Sequence, residues 1–254
     1  MESFNQKKDI SPQEMGTSAT EVFSGKSERM AISELYAESA ETFADIIRER
    51  IQPRDEPYTL ADLGSFKGEL LKNILQELGS QYSFIKTGVD LSEDALVSNS
   101  TVENKVAADI SKLPFSDNSF DISTARYVLV WNDADRQKKI VNEINRITSN
   151  LGILQHAGAD RENTKEWQGK MHSLLNGSID KIARNKYYFS SANEVELWMN
   201  EQNIKFECNQ DRRVDNVADV FIQRYQLSLE EAQKIIEKLG EKNYIYQTTW
   251  VIHK

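Results

Sequence analysis

The sequence has little cysteine, proline and glycine: its 254 residues include one cysteine, four prolines and eleven glycines. With only Cys208, no internal disulfide can form, and the polar N-terminus lacks the apolar core of a secretory signal. We therefore expect a cytoplasmic protein. No apolar run reaches the roughly 18 residues of a membrane-spanning helix, and the mean hydropathy is -0.59. A globular chain without a membrane partner is expected.

Positive charge is also scarce, since 31 Lys and Arg face 40 Asp and Glu, for a net charge of -9. This balance opposes a broad phosphate-binding face, so nucleic acid is not expected as a partner. The three histidines, at positions 156, 172 and 253, have no metal-ligand spacing to one another or to Cys208. We expect no metal site. The oligomeric state is left open.

Hydrophobic periodicity predicts the order of the elements. Residues 1–27 are polar and predict an arm, and a helical stripe from Met30 to Ile47 ends near Pro53. Short strands then alternate with helices, which is typical of βαβ units and a parallel sheet. Strands are predicted at 58–63, 84–90, 105–109, 120–124, 152–156, 204–208 and 246–252. Residues 160–190 predict a mixed helical cover, and 191–199 a helix.

The stretch Leu60-A-D-L-G-S-F-K-Gly68 carries the chemistry. It predicts a strand that ends in an acid, followed by a glycine turn that opens a helix. Glycines let the backbone approach a ligand, and a helix N-terminus supplies N–H donors. Dinucleotide-binding sites typically contain the motif G-x-G-x-x-G. This chain instead has G-x-x-x-G, and the acid Asp62 precedes the turn. A carboxylate at 4 Å would repel a diphosphate by roughly 4 kcal/mol but attract an ammonium or sulfonium. The pattern disfavours NAD.

The motifs resemble those of the class I S-adenosylmethionine-dependent methyltransferases. The run D62-L-G64-S-F66-K-G68 is similar to the family's first motif, with Phe66 in place of the middle glycine. The acid in V89-D90-L is similar to the ribose-binding acid, and A108-D109-I110 resembles the acid and aliphatic pair beside the adenine. The segments 113–121 and 144–154 resemble the fourth-strand and fifth-strand regions of the small-molecule branch.

This resemblance implies a Rossmann-like, doubly wound, mostly parallel seven-stranded sheet with helices on both faces. It implies one domain over 1–254, with an N-terminal arm and helix (1–57), a cofactor-binding half (58–157) and a substrate-cover and closing half (158–254). S-adenosylmethionine is the implied cofactor. The implied cofactor-binding residues are Asp62, Gly64, Ser65, Phe66, Gly68, Asp90, Leu91, Asp109 and Ile110. Arg126 is added to them because it follows the fourth strand, where the ligand cleft of an open α/β sheet lies, and Tyr127 follows the same strand. Candidate catalytic residues are His156 and Tyr127.

Each assignment has a plainer alternative. The glycine turn could be an ordinary strand-to-helix turn, Asp90 could cap the next helix, and Asp109 could be a loop acid. His156 could be a structural histidine inside the core. We also expect the N-terminal helix and 160–190 to cover the cleft as a lid, bringing Tyr36, Trp131 and Trp167 near the methyl group.

Methyl transfer from a sulfonium needs positioning more than a nucleophilic side chain. The sequence contains neither G-x-S-x-G nor a P-loop lysine motif, which leaves nucleophile-elbow hydrolases and Walker-type NTPases unsupported. The leading hypothesis is a methyltransferase for a small-molecule acceptor. The alternatives are an RNA or protein methyltransferase, an NAD(P)-binding oxidoreductase, and a non-catalytic protein that binds the same cofactor.

Overall fold

A computed structural model describes residues 31–158, 190–215 and 244–254, together with the single helical positions 230, 234 and 237. Seven strands form one sheet. They are β1 (Tyr58–Leu63), β2 (Phe84–Asp90), β3 (Asn104–Ala107), β4 (Phe120–Arg126), β5 (Thr148–Gly158), β6 (Lys205–Asp215) and β7 (Tyr244–His253). The sheet order is β3-β2-β1-β4-β5-β7-β6. Strand β7 runs antiparallel to both of its neighbours, and the other pairs are parallel.

Helices pack on both faces of the sheet. The described helices are α1 (Ala31–Arg50), α2 (Glu69–Leu78), α3 (Glu93–Ser98), α4 (Ala134–Ile147) and α5 (Ala192–Glu201). One apolar core joins α1 and α2 to the sheet through residues such as Phe43, Ile74 and Ile122. A second core joins α4 and α5 to the opposite face through Ile144, Trp198 and Trp250. The expected doubly wound architecture is confirmed.

Local sequence explains where these helices begin and end. Apolar residues at helical spacing on α1 (Ala40, Phe43, Ala44 and Ile47) are fully buried. The side chain of Asp133 caps α4 by accepting from the Arg136 N–H at 2.9 Å. At α5, Ser191 and Glu194 form a reciprocal capping box. None of the described helices has the length and apolar content needed to cross a lipid bilayer.

Strand register places the acidic motifs at one edge. In the β1–β2 pair, Asp62 lies opposite Gly88, and in the β2–β3 pair, Asp90 lies opposite Ala107. Each acid therefore lies at or just beyond the carboxyl end of its strand, where ligands bind to open α/β sheets. Arg126 ends β4 and pairs with Gln155 on β5.

The strands differ from the sequence predictions mainly in length. The β1 and β2 bounds are as predicted, whereas β4 and β5 extend beyond the predicted ranges and β3 ends two residues earlier. Strand β6 reaches Asp215 because it pairs along its whole length with β7. The predicted cover at 160–190 lies outside the described residues, apart from Ser190.

Candidate functional site

The turn between β1 and α2 has left-handed backbone at three alternate positions. The φ angles are 73° at Gly64, 46° at Phe66 and 84° at Gly68. A Cβ at Gly64 would lie 2.6 Å from Val128 Cγ1, and one at Gly68 would collide with the Asn99 side chain. Phe66 holds its position at a strain of about 1–2 kcal/mol. Phe66 therefore adopts the left-handed backbone that a glycine would adopt at this position without strain.

Hydrogen bonds to β2 hold this turn. The Gly64 and Ser65 N–H groups donate to Val89 O at 2.8 and 3.0 Å. The Phe66 N–H donates to Asp90 Oδ2 at 2.9 Å. Because that bond fixes the strained residue to the acid of the next strand, the first two motifs form a single structural unit.

Asn99 supports the turn from below, and sequence reasoning missed it. Its side chain is fully buried, and Nδ2 donates to Ser65 Oγ at 2.8 Å while Oδ1 accepts from the Thr101 N–H at 2.9 Å. Its segment, V-S-N-S-T, carries no motif. Only the folded contact between α3 and the turn shows its role.

Asp62 is the most unusual side chain at this edge. It is 3% exposed, and Oδ1 accepts from the Thr124 hydroxyl at 2.9 Å. Among the described residues, Oδ2 has no hydrogen-bond partner. Burial, with smaller contributions from the nearby charges of Asp90 and Glu69, raises the pKa of Asp62 to about 6. A buried carboxylate oxygen without a partner fits a cationic ligand group.

A pocket opens above Asp62 and measures about 340 Å³ when its open mouth is included. Its lining carries two carboxylates and one guanidinium. The lining residues are Asp62, Leu63, Gly64, Ser65, Phe66, Glu69, Leu70 and Arg126. Seven of the predicted site residues do not belong to this lining: Gly68, Asp90, Leu91, Asp109, Ile110, Tyr127 and His156.

Asp90 is partly exposed, with one backbone bond on each oxygen. Oδ1 accepts from the Ser92 N–H at 2.9 Å and Oδ2 from Phe66. Burial raises the pKa of this carboxyl, although the backbone hydrogen bonds oppose the shift. Ser92, not Asp90, caps α3 by accepting from Ala95 N. Carboxylate oxygens have further lone pairs, so Asp90 can still accept from a ligand. Leu91 is half-buried beside it.

Asp109 is more fully engaged than the sequence indicates. Oδ1 accepts from the Ser111 N–H and hydroxyl at 2.9 and 2.8 Å, and Oδ2 accepts from Arg136 Nη2 at 2.8 Å. A ligand at Asp109 would share the carboxylate with Arg136. Ile110 is half-buried and packs against the core on the α4 face.

The two catalytic candidates lie in different surroundings. His156 is 1% exposed, stacks on Trp250 at 6.5 Å, and has Nε2 within 3.0 Å of both Ser190 oxygens. Burial lowers the pKa of His156 to about 4, so the ring is neutral at physiological pH. Tyr127 is partly exposed, and the Arg126 guanidinium lies 4.0 Å from its ring centroid.

A buried polar network extends from Arg126 under α1, and no sequence motif predicts it. Arg126 Nε donates to Ser39 Oγ at 2.9 Å and to Gln155 Oε1 at 3.2 Å. Gln155 Nε2 donates to Thr249 Oγ1 at 3.1 Å, and Gln247 Nε2 lies 3.4 Å from Ser39 Oγ. Because the partners come from α1, β4, β5 and β7, no local motif could reveal them.

The lid prediction lies partly outside the described residues. The second half of α1 buries Phe43 and Ile47 against the sheet face, and Ser39 joins the network at the carboxyl edge. The side chains of Tyr36 and Trp131 lie outside the described residues. So does Trp167, the third aromatic residue of the lid prediction.

Residues 61–155 match the family model of a methyltransferase domain. This segment contains the acidic motifs and the left-handed turn, so it forms a methyltransferase domain. The segment is similar to the class I S-adenosylmethionine-dependent methyltransferases, a class whose cofactor is S-adenosylmethionine. The resemblance predicted from the motifs is confirmed. No curated protein matches the chain.

Solved structures share the fold at low sequence identity. The YcgJ protein from Bacillus subtilis has a TM-score of 0.64 and 17% identity, covering 85% of this chain and 99% of its own. Geranyl diphosphate C-methyltransferase from Streptomyces coelicolor A3(2), in complex with Mg2+, geranyl diphosphate and S-adenosyl-L-homocysteine, has a TM-score of 0.56 and 12% identity, covering 84% and 79%.

A third structure with the same fold has a different reaction in its name. The [4+2]-cyclase SpnF has a TM-score of 0.54 and 13% identity, covering 84% of this chain and 81% of its own. At such identities the likeness defines the fold alone. The acceptor must therefore be argued from the residues of the site.

Proposed function

We propose that this protein transfers a methyl group from S-adenosylmethionine to a small-molecule acceptor at the carboxyl edge of the sheet. The observation that carries the proposal is the buried Asp62 Oδ2, which has no hydrogen-bond partner among the described residues and lines the pocket. A ligand ammonium there would give the carboxylate a charge-assisted hydrogen bond. When bound, the cofactor supplies a methyl group on a positively charged sulfur.

Different residues of the chain would bind different parts of the cofactor. We propose that Asp62 holds the cationic amino-acid end of the cofactor beside the turn of Gly64, Ser65, Phe66 and Gly68. Asp90 would accept from the ribose, and Asp109 with Ile110 would contact the adenine. Leu91 would pack beside Asp90, and Arg126 would close the far side of the pocket.

The charges in the pocket disfavour the dinucleotide alternative. Asp62 and Glu69 both line the cavity, so a diphosphate would meet two carboxylates there. Each at 4 Å would repel it by roughly 4 kcal/mol at an effective dielectric of 20. We therefore prefer a sulfonium cofactor to NAD(P).

A small acceptor is preferred to RNA because of the net charge of -9. A structural neighbour named for a small-molecule substrate, geranyl diphosphate, is compatible with this choice. We place the protein in the cytoplasm because its only cysteine leaves no internal disulfide to maintain. The acceptor contact is assigned to Tyr127 rather than His156, since His156 is enclosed by the core.

Calorimetric titration of the full chain tests the proposal. S-adenosylhomocysteine should bind with micromolar affinity, about -8 kcal/mol, and NAD+ should not. Asp90→Ala should weaken binding by roughly 1.5–3 kcal/mol because a hydrogen bond to a charged group is lost. Asp94→Ala, at an exposed acid of α3, is the matched control and should bind normally. Binding of NAD+ without S-adenosylhomocysteine would refute the proposal.

A further inference from the structure

A row of polar side chains continues from the cofactor pocket across the sheet face beneath α1. Ser39, Gln155, Gln247 and Thr249 in this row are at most 1% exposed. Burying polar groups costs free energy unless they are hydrogen-bonded, and an apolar core would be as stable. Stability alone therefore does not explain the row, which leads from Arg126 at the pocket to Tyr127 and Arg212.

The orientation of the Gln247 amide follows from its neighbours. Arg212 Nε donates to Gln247 Oε1 at 2.6 Å, and an arginine can only donate. Oε1 must therefore face Arg212, which leaves Nε2 to donate to Tyr127 Oη at 2.6 Å. Glu38 holds the other side of Arg212 in an ion pair. Arg212 thus donates to both Glu38 and Gln247, and Gln247 in turn donates to Tyr127.

This direction determines what Tyr127 can do. Because its hydroxyl oxygen receives the Gln247 hydrogen bond, its own proton is directed at another partner. No described residue accepts that proton. The left-handed φ of 56° and the bond from Tyr127 N to Gln155 O at 2.8 Å fix the backbone. Arg126 stacks on the ring. Tyr127 is thus a fixed donor in contact with Arg126, which lines the pocket.

The charges around Tyr127 favour an oxygen anion. Two guanidinium groups, Arg126 and Arg212, lie on this side, and Glu38 is the carboxylate bonded to the network. A ligand ammonium would meet like charge and a hydroxyl oxygen that already accepts a hydrogen bond from Gln247. A carboxylate or phenolate would accept from Tyr127 and be attracted by the arginines.

We propose that the methyl acceptor is a small molecule with an anionic oxygen, a carboxylate or a phenolate, that accepts a hydrogen bond from the Tyr127 hydroxyl. The inference rests on the proposed function. Gln247 and Arg212 are positioning residues that keep Tyr127 a donor. If the anionic oxygen is the atom methylated, its electron pair forms the bond to carbon while the carbon–sulfur pair goes to sulfur. No proton is released, so no general base is needed.

A spectroscopic probe at Tyr127 tests this selectivity. The full chain, with 3-fluorotyrosine at position 127 and saturated with S-adenosylhomocysteine, is titrated with benzoate, 4-nitrophenolate or benzylammonium to about 50 mM, well above millimolar dissociation constants. Benzoate or 4-nitrophenolate should shift the fluorine resonance saturably, and which one binds more tightly distinguishes carboxylate from phenolate. Benzylammonium should bind at least about tenfold more weakly.

Gln247→Glu reverses the direction of the network, because a carboxylate at that position accepts from Tyr127. We expect about a tenfold loss of anion binding. Tyr127→Phe, followed by calorimetry, should give a similar loss if the first variant does not fold. Tyr58→Phe is the control, because that hydroxyl donates to Gln52 O outside the network.

The outcomes separate the two proposals. Failure of S-adenosylhomocysteine to bind contradicts the proposed function. If it binds, the acceptor inference is overturned by a saturable shift with benzylammonium alone, by no shift with either anion, or by anion binding that Gln247→Glu and Tyr127→Phe leave unchanged.

Discussion

The carboxyl edge of the sheet has two chemically opposite ends. At β1 and β2, the turn and pocket bring together Asp62, Glu69 and Asp90, which are acidic. At β4 to β7, Arg126 and Arg212 frame a network of hydroxyls and amides. In the two proposals made above, one end of this edge holds the cationic cofactor and the other receives an anionic acceptor, each with its charge matched by the chain.

The ends also differ in how they are held. The acidic end is built on a strained turn whose backbone hydrogen bonds connect it to β2, with one buried carboxylate oxygen unpartnered among the described residues. The basic end is built from side-chain hydrogen bonds between five elements, α1 and the strands β4 to β7. A substitution that breaks one end should therefore leave the other end largely intact.

The largest effect is expected at the acidic end. Asp62→Asn should weaken S-adenosylhomocysteine binding by about 2–3 kcal/mol at neutral pH, because the amide cannot neutralise the ligand's ammonium. Calorimetry measures the change. Asp45→Asn, at a carboxylate that is 57% exposed on α1, is the control and should bind as the native protein does. Equal affinity for Asp62→Asn and the native protein would remove Asp62 from the cofactor site.

The acidic end was also the more predictable from sequence. Asp62, Gly64 and Gly68 stand within seven residues, and Asp90 follows after one strand-helix unit, so local order reveals them. The network at the other end joins Ser39 to Arg126, 87 positions apart, and to Gln247, 208 positions apart. Hydrogen bonds over such separations depend on the strand order, which no single segment encodes. Arg126 and Tyr127 were found only from their place after a strand.

Breaking the basic end should mainly affect stability. Ser39→Ala removes a hydroxyl that bonds both Gln155 and Arg126, leaving buried partners unsatisfied, so we expect a loss of about 1.5–2 kcal/mol in the free energy of unfolding. Urea denaturation measures it. S-adenosylhomocysteine affinity should change by less than about twofold. Ser98→Ala, at an exposed hydroxyl on α3, should be nearly neutral. A loss of cofactor affinity as large as that of Asp62→Asn would show that the two ends are not separable.

The buried groups Asp62 and His156 predict opposite pH dependences of stability. Folding raises the Asp62 pKa to about 6. The stability that the protonated Asp62 contributes at low pH is therefore lost as pH rises from about 4 to 6. Folding lowers the His156 pKa to about 4, so stability is lost as pH falls from about 6.5 to 4. Between about pH 6 and 5 the two slopes cancel in the native protein.

Substitutions should expose each slope. When the pH falls from about 6 to 5, the free energy of unfolding of Asp62→Asn should fall by about 1.4 kcal/mol relative to the native protein. That of His156→Gln should rise by a similar amount. Urea denaturation at both pH values gives the comparison. If both variants follow the native profile, the two pKa values are not shifted by folding.

The smallest effect concerns the strained turn itself. Phe66 occupies a left-handed position, where glycine is free of strain and alanine is not. Phe66→Gly should therefore be more stable than Phe66→Ala by about 1 kcal/mol, since both lose the ring and only glycine relieves the backbone. The same pair at Lys72, on the exposed face of α2, should show the reverse order, by about 0.5–1 kcal/mol. Thermal denaturation of the four variants measures both differences. If alanine is the more stable at both positions, the turn carries no strain at Phe66, and the chain departs from the family's glycine without cost.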